Sequence, residues 1–457
     1  MNKIKIYKNA HVMIRRKNIT NEIDESKKFN VLLIGVDSIS RLHLQRSMQE
    51  TYKFLIENQW IEMKGYNKIE DNTFPNLMAI LAGVDNSYSF KYCNITEIGG
   101  IEKCKFLWNE FKDENYATAF AEDTTKFSTF NFMRMKGFSK QPTDHYFRPF
   151  GLAIEKYLDC ENKRFPYCVG EKVYADYIYD YALDFVKEYK NYFGLFWTNS
   201  FSHNFISTPS SYDLKMKNYL KMFQNENHLN NTFIIFISDH GIRFGEIRKL
   251  FTGWLEERLP FLFFYIPENF KKNYPEFVKN LKINTERLTT PFDLHITIKE
   301  ILKISSNKNQ FFNLTAISCP KCQSLFKEIS IDRICKDAAI PDIYCTCSSI
   351  EEIDKTTKEI KEISEFIVDE LNFLVSTYEK CAKMKLKEII SARKLNYDKN
   401  DFLIEIKVFP SDGEFEAKVR KTENFYIFVD QILRINQYGN QSECIDDLNL
   451  RKYCYCV

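Results

Sequence analysis

Five strand-length apolar runs constrain this chain more than any other feature: NVLLIGV (30–36), YATAFAE (116–122), YFGLFW (192–197), TFIIFIS (232–238) and LPFLFFYI (259–266). Runs this apolar read as strands buried on both faces, as happens where helices cover a parallel sheet. The stretches between them, such as YADYIYDYALDFVKEYK and SYDLKMKNYLKMFQ, carry helical spacing instead. The expected fold class is α/β, a mostly parallel sheet sandwiched by helices over residues 28–305. A polar peripheral arm (1–27) precedes it, and a cysteine-rich segment (306–350) follows. The tail (351–457) reads as an α+β module. One or two long amphipathic helices are expected up to about residue 394, then a hairpin turning at Pro410–Gly413, then a strand in FYIFVDQILRIN.

Functional groups of open parallel sheets collect beyond the carboxyl ends of the strands. Four of the runs end that way: Asp37 after the first, Glu122 and Asp123 after the second, Asn199 and His203 after the third, Asp239 and His240 after the fourth. Any one of these would serve equally as a turn or cap residue. The hard oxygen and imidazole nitrogen of Asp239-His240 suit zinc or manganese, and Gly241 lets the backbone turn tightly behind them. The same pair would also make ordinary turn hydrogen bonds. In DNTFPNLMAILAG (71–83), Asn72 or Thr73 is placed to cap a helix with Pro75 in its first turn. A hydroxyl at that point faces free backbone N–H groups, a site that accepts a phosphate or sulfate oxyanion. Beside a divalent cation Thr73 becomes a candidate nucleophile, and without one it is a plain N-cap. Arg243 is placed to fork two hydrogen bonds to a bound anion or to sit in a salt bridge. Glu257 and Arg258 are further candidates before the last run.

Lys plus Arg number 64 against 62 Asp plus Glu, and a net charge of +2 gives no reason to expect nucleic acid. No apolar run approaches the roughly 20 residues of a membrane span. Five of the 13 cysteines fall between Cys319 and Cys347 and three between Cys444 and Cys456, in C-x-x-C and C-x-C spacings that serve either zinc or disulfides. Cys93, Cys104, Cys160 and Cys168 add spacings no zinc ribbon uses, which favours disulfides and an oxidising compartment. The expected location is extracellular or the secretory lumen. Sequons at Asn18, Asn94, Asn230, Asn313 and Asn440 fit a secreted glycoprotein. The opening residues hold no signal-peptide core, so an N-terminal signal or anchor is expected to be missing from this sequence.

The phrases NVLLIGVDSISR, DNTFPNLMAILAG, WTNSFSH, IIFISDHGIRFG and LTTPFDLHITIKEIL resemble, in order and spacing, the motif set of the alkaline-phosphatase-like superfamily, which includes sulfatases and nucleotide phosphodiesterases. Thr73-Phe74-Pro75-Asn76 resembles the nucleophile motif of the phosphodiesterase branch. HYFRPF, LEERLPFLF, CPKCQSLF, IPDIYCTC and the closing YCYC are similar to phrases of one animal family within it, domain of unknown function 229. The resemblance implies a metal-dependent hydrolase or transferase of phosphate or sulfate esters, with a phosphothreonine intermediate. Its substrate would be a small molecule or a glycan- or lipid-linked ester. It implies one or two divalent ions, zinc first, then manganese or calcium. Asp37, Thr73, Asp239 and His240 would hold the first, with Thr73 as nucleophile. His203, His295 and Asn199 match the second, where Asn199 replaces the family's acid and weakens the site. A binding or structural protein of the secretory pathway that keeps the fold without turnover is the alternative.

Overall fold

The computed structural model describes residues 8–17, 28–132, 135–159, 165–225, 229–306, 313–347, 349–395, 400–447 and 449–457. Cys160, the sequon at Asn18 and much of the expected arm 1–27 lie outside them. The described chain separates into two compact units. One takes the chain up to Ile242 and then Glu256–Ile340; the other takes Arg243–Leu255 and Pro341–Val457.

In the first unit, strands β1 (Asn30–Val36), β2 (Ile61–Glu62), β3 (Ala117–Glu122) and β4 (His145–Tyr146) precede a small ribbon of β5 (Cys168–Val169) and β6 (Lys172–Val173). They are followed by β7 (Tyr192–Thr198), β8 (Thr232–Ile237) and β9 (Leu262–Tyr265). All but the ribbon join one sheet in the order β2-β9-β8-β1-β7-β3-β4. Strands β8, β1, β7, β3 and β4 run parallel, and β9 pairs antiparallel with both β8 and β2. The expected strand at 259–266 is thus shorter than its apolar run, and it reverses direction.

Alternation along the strands explains why whole runs are apolar. Val31 and Leu33, with Phe233 and Ile235 on β8, face a core closed by the helices Thr73–Ala82, Leu107–Asp113 and Pro291–Ser305. Leu32, Ile34 and Val36, with Ile234 and Phe236, face a second core closed by Arg41–Ser47, Gln49–Glu57, Tyr174–Glu188 and Asp213–Gln224. Each face buries its own side chains, so neither parity along a strand is free to be polar.

The cysteine-rich segment is not a separate body up to Ile340. Leu325, Phe326 and Ile329 enter the first core. Asn284 donates to the carbonyls of Leu325 and Lys327 and accepts from the Ile329 N–H. Arg333 grips Asp293 with two hydrogen bonds of 2.7 and 3.0 Å. Disulfides join Cys93–Cys104, Cys319–Cys322, Cys381–Cys454 and Cys444–Cys456.

The second unit carries an antiparallel sheet with its main path β10 (Ile350–Glu352), β11 (Lys385–Leu395), β12 (Asp401–Phe409), β13 (Glu414–Lys421) and β14 (Tyr426–Phe428). Strand β15 (Leu433–Arg434) pairs with β13. The helix Lys358–Leu374 lays Ile360, Ile363, Ile367 and Leu371 into a core with Phe402, Ile404, Ile406, Phe415 and Val419. The opposite parity holds the buried ion pairs Arg393–Glu405 at 3.1 Å and Arg248–Glu416 at 3.7 Å. Among the described residues of 351–394, Lys358–Leu374 is the one α-helix. KLKEIISARKL (385–395), expected to continue the helical stretch, is instead a strand, because its edge pairs along β12 through two bulges. No helix among the described residues is long and apolar enough to cross a membrane.

Candidate active site

The sheet order places the polar strand ends side by side. Gly35 of β1 pairs with Ile237 of β8 and Trp197 of β7, and Glu122 of β3 pairs with that same Trp197. Asp37, Asp239, Asn199 and Asp123 therefore leave the sheet along one edge. The Asp37 N–H donates to the Thr198 carbonyl at 2.9 Å, fixing the first of them.

Asp37, Asp239 and His240 converge: one ligand atom from each lies within 4.8 Å of the others, and all three residues are buried. His240 Nδ1 donates to the Gly241 carbonyl at 2.8 Å. That bond fixes the tautomer, so in the neutral ring the Nε2 lone pair faces Asp239 Oδ2 at 3.1 Å and Asp37 Oδ1 at 3.7 Å. Among the described residues no group donates a hydrogen bond to the buried Asp239 Oδ2. Three lone-pair atoms within 4.8 Å of one another, one of them with no donor among the described residues, are costly unless something positive joins them. The donor set fits a divalent cation with mixed nitrogen and oxygen preference.

Ser38 holds the two acids in place, a role its sequence context gave no sign of. Its hydroxyl donates to Asp37 Oδ1 at 2.8 Å and its N–H to Asp239 Oδ1 at 3.1 Å. It does so at φ 63°, a left-handed conformation rare for serine. Ser238 supports the same turn by donating to the His240 carbonyl at 3.2 Å. Behind it, the Gly241 N–H donates to the Glu257 carbonyl at 3.0 Å, and a Cβ on Gly241 would stand 2.2 Å from the Glu256 carbonyl oxygen. Only glycine lets the two segments come so close.

The Glu256–Arg258 segment also receives the approach to Thr73. The Lys68 N–H donates to the Arg258 carbonyl, and its ammonium, fully buried, pairs with Glu257 and lies 3.7 Å from Asp71. Asn76 of the Thr-Phe-Pro-Asn motif is a staple. Its Oδ1 accepts from the Ile69 N–H at 2.9 Å, and its Nδ2 donates to the carbonyls of Glu70 and Asn72 at 2.8 and 2.9 Å. Thr73 is the first residue of its helix, after Asn72 in the cap position. It is half-buried, and its hydroxyl makes no hydrogen bond among the described residues. Thr73 is thus not the N-cap, and its oxygen is uncommitted.

Of the residues matched to a second ion, Asn199 and His203 share one turn, where the His203 N–H donates to the Asn199 carbonyl at 3.0 Å, and His295 packs on another element. His203 Nε2 lies 4.0 Å from Asp37 Oδ2, with its ring stacked on Phe165 at 3.9 Å, so it flanks the first cluster. Asn199 spends its amide on two carboxylates. His295 lies at the far end of the Thr73 helix: Nδ1 donates to the Ile80 carbonyl at 2.8 Å, and the ring covers Gly83, the left-handed C-cap. At about 1.5 Å per residue, that end is roughly 15 Å from Thr73. Burial, then Lys299, pushes the His295 pKa down to about 3. Among the described residues no cluster of three His, Cys, Asp or Glu ligand atoms includes His203 or His295. Arg243 falls in the second unit, its guanidinium 4.8 Å over the Phe244 ring.

Among solved structures, the chain is similar to an alkaline-phosphatase-superfamily protein from Vibrio parahaemolyticus, at 10% identity over 89% of this chain and 83% of that one, with a TM-score of 0.47. It is similar to the lipoteichoic acid synthase LtaP of Listeria monocytogenes, at 12% identity over 74% and 82%, TM-score 0.41. It is similar as well to the PsFucS1 sulfatase of Pseudoalteromonas sp., at 12% identity over 72% and 75%, TM-score 0.40. No curated protein matches the sequence. The profile of one family matches residues 1–390, and the chain belongs to that family, described as protein of unknown function (DUF229).

Proposed function

We propose that this chain is an extracytoplasmic hydrolase or transferase of phosphate esters, sulfate esters second, that depends on one divalent cation and uses Thr73 as nucleophile. The observation that carries it is the buried convergence of Asp37, Asp239 and His240, with no donor to Asp239 Oδ2 among the described residues. These three residues would hold the ion; zinc is the first choice, manganese or calcium the others. When bound, the ion would supply Lewis acidity to a nearby hydroxyl and to a phosphoryl oxygen.

The chain's own residues supply the rest. Thr73 presents an uncommitted hydroxyl at a helix N-terminus, where backbone N–H groups favour an oxyanion. Its hydroxyl would lose its proton to solvent and its oxygen bond to phosphorus as the ester oxygen departs, leaving phosphothreonine. His203, beside Asp37, is placed to give the departing oxygen a proton. Water or an acceptor alcohol would then take the phosphoryl group from Thr73. His295, whose Nδ1 donates to the Ile80 carbonyl at 2.8 Å, is given no role in this reading. The disulfides support an extracellular or lumenal location.

The test is a purified chain from an oxidising host, assayed on aryl phosphodiester, monoester and sulfate substrates with zinc or manganese, beside a Thr73→Ala control. Turnover lost in the control, with label from a phosphorus-labelled substrate trapped on Thr73, is expected. Equal rates in both proteins would remove the nucleophile. The committed amide of Asn199 favours a second reading, a binding protein that keeps the ion without turnover. Stoichiometric metal with no activity on any ester would select it.

A further inference from the structure

We propose that Asn199 is a positioning residue and not a metal ligand: its amide ties the carboxylates of Glu122 and Asp123 to the turn that presents His203. The inference rests on the reading of His203 as a working group, but its geometry stands alone.

Asn199 follows β7, and Glu122 and Asp123 end the neighbouring β3. All three are buried. The Asn199 backbone N–H donates to Asp123 Oδ1 at 2.7 Å, and the Ser200 N–H to Asp123 Oδ2 at 3.1 Å. The Asn199 side-chain nitrogen donates to Asp123 Oδ1 at 3.1 Å and to Glu122 Oε1 at 3.3 Å. The Asn199 carbonyl accepts from the N–H groups of Ser202 and His203 at 3.2 and 3.0 Å, which closes the turn under the His203 ring. Glu122 is held from its other side by the Thr129 N–H and hydroxyl, each 2.8 Å from Oε1.

An asparagine side chain has two N–H donors, and here both meet buried carboxylate oxygens. An aspartate at the same place has none. It would set a third carboxylate against two others in a site closed to water, where like charges and unmet acceptors are both costly. The asparagine therefore suits its neighbours on β3 better than an aspartate would wherever Asp123 is ionised. This is a physical reason for its departure from the acid that the resembling superfamily uses there. Burial already pushes Glu122 up to about 8 and Asp123 up to about 6. Among the described residues the phenols of Tyr146, Tyr174 and Tyr179 also feel the pair, all raised by burial and neutral throughout the physiological range.

The experiment compares the full chain with Asn199→Asp and with Asn199→Asp/Glu122→Gln, which returns an N–H donor from the opposite side. Two readouts are taken: divalent ions per chain after equilibration with zinc or manganese, and melting temperature from pH 4.5 to 7.5. The new carboxyl should have a folded pKa above its unfolded value near ~3.9. Its penalty is then absent at low pH and grows as pH rises toward the folded value. We expect no additional ion in Asn199→Asp, a Tm deficit widening by at least about 3 °C toward pH 7.5, and recovery of most of it in the double variant. An extra ion per chain, or a deficit that does not change with pH, would overturn the proposal. A wild-type chain that binds no ion would instead sink the proposed function, and the melting series would still decide what Asn199 does.

Discussion

Replacing Asp239 by Asn tests the metal reading through stability, with no substrate needed. Oδ1 would still accept from the Ser38 N–H at 3.1 Å. An amide nitrogen would replace Oδ2, 3.1 Å from His240 Nε2. With the ring neutral, a contact between lone pairs becomes a hydrogen bond worth about 1 kcal/mol. The ligand oxygens of Asp37 and Asp239 lie within 4.8 Å of each other. At that separation two unit charges repel by about 3–4 kcal/mol for an effective dielectric of ~20. Part of this is already relieved by the Ser38 donors, so a net gain of about 2 kcal/mol in the metal-free protein is a reasonable scale, a rise of roughly 4 °C. The wild type would gain from metal instead, by about 2.7 kcal/mol at a hundredfold excess over Kd. Thermal melts in chelator and in zinc or manganese should therefore cross, with the variant higher without metal and the wild type higher with it. If the wild type responds to neither chelator nor metal and the variant melts lower throughout, Asp239 and His240 form an ordinary ion pair, and the argument from facing lone pairs fails.

Gly241→Ala should lower both metal affinity and Tm, since its Cβ would stand 2.2 Å from the Glu256 carbonyl; a variant indistinguishable from wild type in both would mean that the two segments separate freely. Asn76→Ala removes three hydrogen bonds from the loop before Thr73 and should cost about 2–4 kcal/mol in denaturant unfolding. A change under about 0.5 kcal/mol would deny the staple. His295, with its pKa lowered to about 3, should show no titration by NMR between pH 5 and 8. Because its folded value lies below the unfolded one, its contribution to stability should fall as pH drops below about 6.5. A midpoint near 6 would show the ring exposed to water.

Four of the five apolar runs fold within a residue or so of where they were expected, because burial on both faces leaves little choice of residue type. Asp37, Asp239 and His240 were legible for the same reason: a polar group that ends a wholly buried run has to find a partner. What local pattern did not carry had non-local causes. KLKEIISARKL spaces its apolar residues loosely enough for a helix, and only the presence of β12 along its edge makes it a strand. His295 carries a metal-ligating ring, but its helix register turns that ring toward Ile80 and Gly83.

The sequence by itself determined that there would be a buried sheet, which residues would stand at its strand ends, and that a helix would open at Asn72 or Thr73. Periodicity and burial are local properties, so a single chain carries them openly. Tertiary structure alone decided that β8, β1, β7 and β3 lie next to one another, so that residues some 200 positions apart share one buried point. It decided too that the Asn199 amide meets acids 76 and 77 residues earlier. Hydrogen-bond partners across such separations are chosen by strand order and packing, and no local pattern encodes them.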